Sequence, residues 1–322
     1  MSEIRDMPSK ILTEPKRHSL LVDLGIRLIR EKPLGTVGGV IVLILFFVGI
    51  FANFLAPYGM NEVHPADSLS PPSAQYILGT DSLGRDMLSL IIYGARVSMI
   101  VGLAATALSV LVSSTIGILS GFTGGKFDLV VQRFVDAFMC FPGLFIILTV
   151  MAILGPGLWQ VILVLGILYG IAGSRIVRGA VIGIKQNMYV DAAIAIGCPT
   201  WRILSRHILS NVMAPVIILF TTGVGGAILA EATVSFLGWG IPPPTPSWGG
   251  MLSGAGRQYM LLAPWLVLWP GLALSVVVYG INMLGDAVRD ILDPRLRGGI
   301  GRYGGAKMEK ARLKHRSITT TK

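Results

Sequence analysis

One stretch of this sequence comes close to a nucleotide-binding pattern. Residues 120–127 read Ser-Gly-Phe-Thr-Gly-Gly-Lys-Phe. A phosphate-binding P-loop needs G-x-x-x-x-G-K-[ST], because its backbone N–H groups and its lysine cradle the phosphates. Here the first glycine is missing, and Phe127 stands where the hydroxyl residue should be. The sequence therefore predicts no ATP site of this kind in the chain.

Other reactive side chains also lack a catalytic arrangement. Asp286 and Asp290 lie four residues apart in a basic segment, which is typical of a solvated helix end. The four histidines have no metal-ligand spacing, and neither H-E-x-x-H nor G-x-S-x-G occurs. Cys140 and Cys198 are predicted to face a reducing compartment, so no disulfide is expected. We expect no catalytic residue, metal or cofactor site, and thus no enzyme.

The elements that must hold these residues are apolar. Hydrophobic residues make up 53% of the chain and charged residues 14%, whereas soluble domains carry about 25% charged residues. A helix needs about 20 apolar residues to cross a bilayer. The sequence predicts an all-α membrane protein with six transmembrane helices, over 34–56, 97–121, 141–154, 158–173, 212–235 and 265–284. The apolar pattern predicts that the third helix begins earlier, near Val130.

Lysine and arginine are distributed unevenly between the two sides of this arrangement. Of 27 such residues, all but Arg85, Arg96 and Arg257 fall on one side, which holds residues 1–33, 122–129 with Arg133, 174–211 and 285–322. Positive segments stay in the cytoplasm, so both termini and the 174–211 loop are predicted to be cytoplasmic. The net charge of +10 then reflects topology and lipid contact, and we expect no nucleic-acid partner.

Residues 189–215 form a polar island between two apolar runs, and they read as helix–glycine–helix. The fourth span is predicted to continue as helix to residue 196, with Arg175, Arg178 and Lys185 on one face. Gly197 suits a left-handed helix stop, and Pro199 follows it.

The second helix of the polar island is predicted to begin after an N-cap at Thr200 and to run through His207. Trp201, Leu204 and Ile208 are predicted to share its apolar face, with Arg202 and Arg206 on another. Spacing alone leaves two readings open, a helix packed under its own bundle and a docking helix for a cytoplasmic partner.

Four residues in or near the spans are candidates for a pore or gate: Glu231, Asn282, Trp239 and Trp248. Glu231 is an intramembrane carboxylate, which is a functional candidate by default, although pairing with Arg257 is an equal alternative. Asn282 is predicted to line a pore or to bond another helix. The two tryptophans flank a proline run and suit either an outer gate or an interfacial loop.

The polar island resembles the cytoplasmic signature loop of permease subunits in binding-protein-dependent ABC importers. That signature reads E-A-A, three residues, G, nine residues, I-x-L-P. Here Asp191-Ala192-Ala193, Gly197 and His207-Ile208-Leu209-Ser210 occupy the same frame. Asp replaces Glu, His replaces Ile, and Ser replaces Pro at 210, which puts a kink there in doubt.

Three further stretches, 78–99, 236–252 and 285–298, resemble the second, C-type permease subunit of the dipeptide/oligopeptide/nickel branch. In the first, Asp81 or Ser82 is expected to cap the helix. The resemblance implies a type I ABC importer permease fold. Its parts would be a cytoplasmic tail at 1–33, a first transmembrane helix with an external segment at 34–96, a permease core at 97–298 and a basic cytoplasmic tail at 299–322.

The resemblance also implies the partners and the substrate. The chain would form half of a pore for peptides in the inner membrane of a prokaryote, beside a homologous permease subunit. Two cytoplasmic subunits would bind ATP and Mg, and an external binding protein would deliver substrate. The residues expected to couple to the ATPase are Asp191, Ala192, Ala193, Gly197, Pro199, Thr200, Trp201, Arg202, Arg206, His207 and Leu209. The alternatives are a permease for nickel or another small solute, or an ATP-independent channel or secondary transporter.

Overall fold

The computed structural model describes Gly25 and residues 28–292, so the tail predicted at 299–322 and most of that at 1–33 lie outside the described part. Within that part the chain is helical, with one isolated β-bridge between Thr80 and Asp86. The helices are α1 Pro33–Ile50, α2 Ala52–Leu55, α3 Met87–Thr123, α4 Gly125–Met139, α5 Gly143–Leu154, α6 Leu158–Lys185, α7 Met188–Ala195, α8 Thr200–Phe236, α9 Trp248–Leu252, α10 Gly254–Tyr259 and α11 Trp265–Leu292.

Five of these helices, α1, α3, α6, α8 and α11, are long and apolar enough to cross a membrane. The predicted third span differs from a straight helix, because α4 and α5 meet at a bend of 88°. Pro142 explains the break, since a proline disfavours helical backbone at the residue before it. The predicted count of six spans is reached when this bent pair is taken as one span.

Glycines let α3 and α6 approach each other closely along the middle of the bundle. A Cβ atom added at Gly170 would lie 2.5 Å from Val112 Cβ, and one added at Gly117 would lie 2.7 Å from the Ser174 carbonyl oxygen. Small residues at a helix interface allow such contact inside a membrane, where packing drives association. The two helices therefore form the central pair onto which α8 packs, while α11 packs against α1 and α8.

The connections 56–86 and 237–264, together with the end of α8 from Glu231 onward, form a cap at the end of the bundle opposite the polar island. Here the start of α3 differs from the prediction, because Asp86 is the N-cap and its Oδ2 accepts from Ser89 N at 2.8 Å. Asp81 instead accepts from Arg85 Nε at 2.7 Å within a turn before the helix. Burial, followed by a hydrogen bond to Asp67, raises the pKa of Tyr76 in this cap to about 12.

Candidate functional site

The polar island folds as α7 and the first turns of α8, joined by a tight turn at Gly197. The backbone of Gly197 has φ +74°, in the left-handed region that the sequence predicted. Cys198 N donates to the Ala193 carbonyl oxygen at 3.0 Å and closes the turn. The predicted N-cap at Thr200 is wrong, because Pro199 holds that position and Thr200 is already helical.

An apolar core holds the polar island to the bundle. Val190 of α7 and Ile208 of α8 are fully buried, and Ile203 is 2% exposed. They pack together with Val181 of α6 and Val212 of α8. The polar island is therefore a braced element with a fixed orientation relative to the spans.

The helix after Gly197 begins with a short α-helical segment, Thr200–Arg202, and continues as π-helical turns over Ile203–Ile208. It continues without interruption through Leu209 and Ser210, so the second helix of the polar island and the fifth span are one helix. The π turns change which side chains face inward, because each added residue rotates the following ones around the axis. The predicted apolar face of Trp201, Leu204 and Ile208 is divided in the structure, because Trp201 is exposed whereas Ile208 is buried together with Ile203.

The upstream half also differs from the prediction. The fourth span does not continue as helix to residue 196, because α6 ends at Lys185 and α7 begins at Met188. The Ile184 carbonyl oxygen near the end of α6 accepts from both the backbone N–H and the side-chain amide of Asn187, at 3.1 and 2.9 Å, and these bonds cap the helix. This break allows α7 to change direction and bring Val190 onto the apolar core.

The outer surface of the polar island carries three large exposed apolar side chains, with a basic group beside one of them. Trp201 is 66% exposed, Ile196 84% and Met188 86%. The Arg202 guanidinium lies 5.5 Å from the centroid of the Trp201 ring, within cation–π range. We call these four residues, Met188, Ile196, Trp201 and Arg202, the island tip. A contiguous exposed apolar patch with a polar rim marks an interaction site on a protein surface.

The structure brings the predicted coupling residues to this one region. The exposed ones are Asp191, Ala192, Gly197, Pro199, Thr200, Trp201, Arg202, Arg206 and Leu209. Ala193 is buried in the apolar core, and the half-buried His207 ring lies 6.2 Å from the ring of Tyr189. The sequence analysis did not identify Met188 and Ile196. They could have been found as large apolar side chains on either side of the Asp191-Ala192-Ala193 motif.

The basic face of α6 is used inside the chain and not at the island tip. Arg178 donates to both oxygens of Asp128, at 2.6 and 2.5 Å, and Ser120 also donates to that carboxylate. Arg175 pairs with Asp136, and Lys185 Nζ donates to the Phe122 carbonyl oxygen at 2.6 Å. These bonds fix the α3–α4 corner against α6, so the three basic groups of α6 are paired within the chain.

At the opposite end of α8, Glu231 is fully buried. Its Oε1 accepts from Ser235 Oγ at 2.6 Å, and Ser235 Oγ in turn accepts from Ile241 N at 3.2 Å. Among the described residues, Oε2 has no hydrogen-bond partner. This chain of hydrogen bonds joins the loop after α8 to the end of that helix. Among the described residues, Glu231 forms no salt bridge with Arg257, which was the alternative partner considered from the sequence.

The other pore and gate candidates differ in exposure. Trp248 is 2% exposed, and its Nε1 donates to the Ile91 carbonyl oxygen at 3.1 Å, so it joins α9 to α3. Trp239 is 40% exposed at the cap surface. Asn282 is exposed along α11, beside Gly225 of α8. Among these candidates, Asn282 is the one whose polar side chain is exposed on a membrane-spanning helix.

No group of three or more His, Cys, Asp or Glu side chains among the described residues is placed to hold a metal ion.

Comparison with known families now identifies this architecture. The family model for the binding-protein-dependent transport system inner membrane component matches residues 113–298. The chain belongs to this family. A second model, the N-terminal transmembrane domain of oligopeptide transport permease C, matches residues 21–72. As an inner membrane transport component, the chain is a multi-pass membrane protein, in agreement with its apolar helices.

Curated members of the family are similar along most of their length. The chain is 38% identical over 269 residues to the dipeptide transport system permease protein DppC of Alkalihalophilus pseudofirmus, covering 84% of this chain and 88% of the relative. It is 37% identical over 273 residues to the glutathione transport system permease protein GsiD of Escherichia coli O6:K15:H31, covering 84% and 90%. Dipeptide and glutathione are the cargoes named for those two proteins.

The fold of the transport component is also found in a solved structure. The inward-facing MetNI methionine ABC transporter matches with a TM-score of 0.52 over 64% of this chain and 98% of that chain. Sequence identity is 18%, so the match shows the fold alone. It confirms the predicted ABC importer permease fold.

Proposed function

We propose that this chain is one permease subunit of an ATP-driven peptide importer, and that the island tip docks on a cytoplasmic ATPase subunit. The names of the curated relatives support a peptide as cargo. The proposed partners are a homologous permease, two ATP-binding subunits that hold ATP and Mg, and an external binding protein. Both termini and the polar island lie on the cytoplasmic side, where positive segments stay.

The island tip is the observation that carries this proposal. Its apolar side chains are held outward by a buried core that includes Val190, Ile203 and Ile208. A rigid element can transmit displacement, because its packed side chains have few alternative arrangements. Movement of an ATPase against Trp201 would therefore pass into α6 and α8, which contact the same core.

A substitution at the island tip tests the docking role. Trp201→Asp places a charge where an apolar hot spot is proposed, and such residues are worth about 2 kcal/mol or more at interfaces. We expect uptake of a labelled dipeptide by the reconstituted transporter to fall by about 30-fold, since 1.4 kcal/mol is tenfold. Gly197→Asp, which alters the turn that aims the tip, is expected to act in the same direction. The measurement is peptide uptake into proteoliposomes.

Trp201→Phe is the matched control, because it keeps an apolar ring at the same place. It is expected to retain most of the uptake, and all variants should insert into the membrane in normal amounts. Normal uptake in the Trp201→Asp transporter would contradict the docking role. Uptake by the purified chain without any ATPase would instead indicate a channel or a secondary transporter.

A further inference from the structure

A small cavity, mostly apolar in its lining but with several hydroxyl groups, lies between α3, α6 and α8, away from both the polar island and the cap. Its volume is about 240 Å³. The polar part of its lining consists of five hydroxyl-bearing residues, Thr106, Ser109, Ser113, Tyr169 and Thr222. No charged side chain of the described residues lines it. Polar groups at membrane depth face the bundle interior or a water-filled cavity, and they mark substrate pathways.

Thr106 differs from most hydroxyl residues in these helices. Thr115, Thr222 and Ser275 donate back to carbonyl oxygens four residues earlier in their own helices, at 2.7 to 2.8 Å. This is how a helix normally satisfies such a group. Thr106 is 3% exposed, yet its Oγ1 has no hydrogen-bond partner among the described residues. A buried hydroxyl without a partner costs about 1–3 kcal/mol, so a rotation of the Thr106 side chain toward the cavity would be favoured by a partner that enters there.

Glycines of α8 keep the cavity open. A Cβ atom added at Gly223 would lie 2.9 Å from Thr106 Cγ2, so any side chain there would press on Thr106. A Cβ atom added at Gly226 would meet nothing within 4 Å. The space beside Gly226 is therefore free, and a larger side chain at that position can enter it without displacing its own backbone.

We propose that this cavity is a transit site for the backbone of a short peptide on its way through the permease. The proposal rests on the proposed peptide-import function and assigns it a place in the chain. Hydroxyl groups both donate and accept hydrogen bonds, so Thr106 and Tyr169 match amide N–H and C=O groups whatever the peptide sequence. The absence of charged groups in the described lining favours brief binding, because a tightly held substrate would not leave. The small volume suits one or two residues at a time, since typical ligand pockets hold about 300–1,000 Å³.

A size substitution tests the transit site in the complete transporter, with all partner subunits in proteoliposomes and dialanine as the probe. We expect Gly226→Leu to lower dialanine uptake by about tenfold, the scale that one misfitting group reaches in a pocket. ATP hydrolysis stimulated by the loaded binding protein should stay near the wild-type rate. Gly226→Ser should keep most uptake, since its side chain is small and polar. The matched control is Gly179→Leu, because Gly179 of α6 also has open space beside it and does not line the cavity. This variant should transport normally.

Wild-type uptake by Gly226→Leu, or an equal loss in Gly179→Leu, would overturn the proposal. A wild-type transporter that imports no dialanine would overturn the proposed function itself. A second arm reads the cavity without transport, using Thr106→Cys after Cys140→Ser and Cys198→Ser have removed the native thiols. A charged water-soluble thiol reagent should modify Cys at 106 but not at the apolar, 64% exposed Leu111 in a Leu111→Cys control. An unreactive thiol at 106 during ATP turnover would show that the cavity is not on a water-filled path.

Discussion

The polar island and the cap, which connect long helices at opposite ends of the bundle, are built by opposite means. The polar island buries apolar side chains, such as Val190 and Ile208, and exposes others, such as Trp201 and Ile196. The cap buries polar groups, including Thr80, Asp86 and Glu231, and pairs most of them within the chain. The polar island therefore leaves apolar side chains exposed to solvent, whereas the cap pairs most of its buried polar groups within the chain.

This difference separates the two ends by what they can do. Covering an exposed apolar surface with a partner is favourable, because each Å² of apolar area removed from water contributes roughly 25 cal/mol. A hydrogen-bonded polar cluster fixes geometry, because each group left unpaired after a rearrangement is costly. The polar island is thus suited to binding a partner, and the cap to holding the ends of α3, α8 and α11 in register.

The largest effect is expected in the core of the polar island. Ile208→Ala removes a fully buried side chain from that core, and such truncations cost about 2–5 kcal/mol of unfolding free energy. Trp201→Ala, seven residues earlier and exposed, should change stability by no more than about 0.5 kcal/mol. The measurement is thermal unfolding of the purified protein in detergent. If Trp201→Ala destabilised the chain as strongly as Ile208→Ala, the island tip would be part of the core and not free for a partner.

The contrast between the two ends was only partly readable in the sequence. Gly197 and Pro199 predicted the turn of the polar island, because their backbone preferences are local. The inward position of Ile203 depends on π-helical turns, which side-chain periodicity assumes to be absent. In the same way, the bonds of Glu231 to Ser235 and of Asp128 to Arg178 join groups whose meeting depends on tertiary packing. The spans could be predicted from composition, but these contacts could not.

An intermediate effect is expected at the cap. Glu231→Ala leaves the Ser235 hydroxyl without its acceptor in a dry site, which costs about 1–3 kcal/mol. Glu231→Gln keeps an oxygen for Ser235 and should cost less. Thermal unfolding of both variants checks this order, with protease sensitivity of the 237–247 loop as a second reading. Equal stability of the Ala variant and the wild type would mean that the cap is not held by this polar cluster.

The smallest effect is expected at Gly197, and a cap glycine provides its counterpart. Both Gly197 and Gly84 have left-handed backbone, with φ +74° and +75°. A Cβ atom at Gly197 would meet nothing within 4 Å, whereas one at Gly84 would overlap the His64 carbonyl oxygen. Gly197→Ala should therefore cost only the backbone strain, about 1–2 kcal/mol. Gly84→Ala should add about 1–3 kcal/mol for overpacking.

Unfolding measurements on these two variants separate strain from packing, because the backbone term is shared. Gly197→Asn sharpens the test, since asparagine tolerates the left-handed region better than alanine. It should recover part of the loss in the polar island, where space is free. At Gly84 the same substitution should leave the overpacking cost in place, because the overlap with His64 persists whatever side chain follows the Cβ atom. Equal costs for Gly197→Ala and Gly84→Ala would show that the two ends are packed alike, and the contrast between an open polar island and a closed cap would fail.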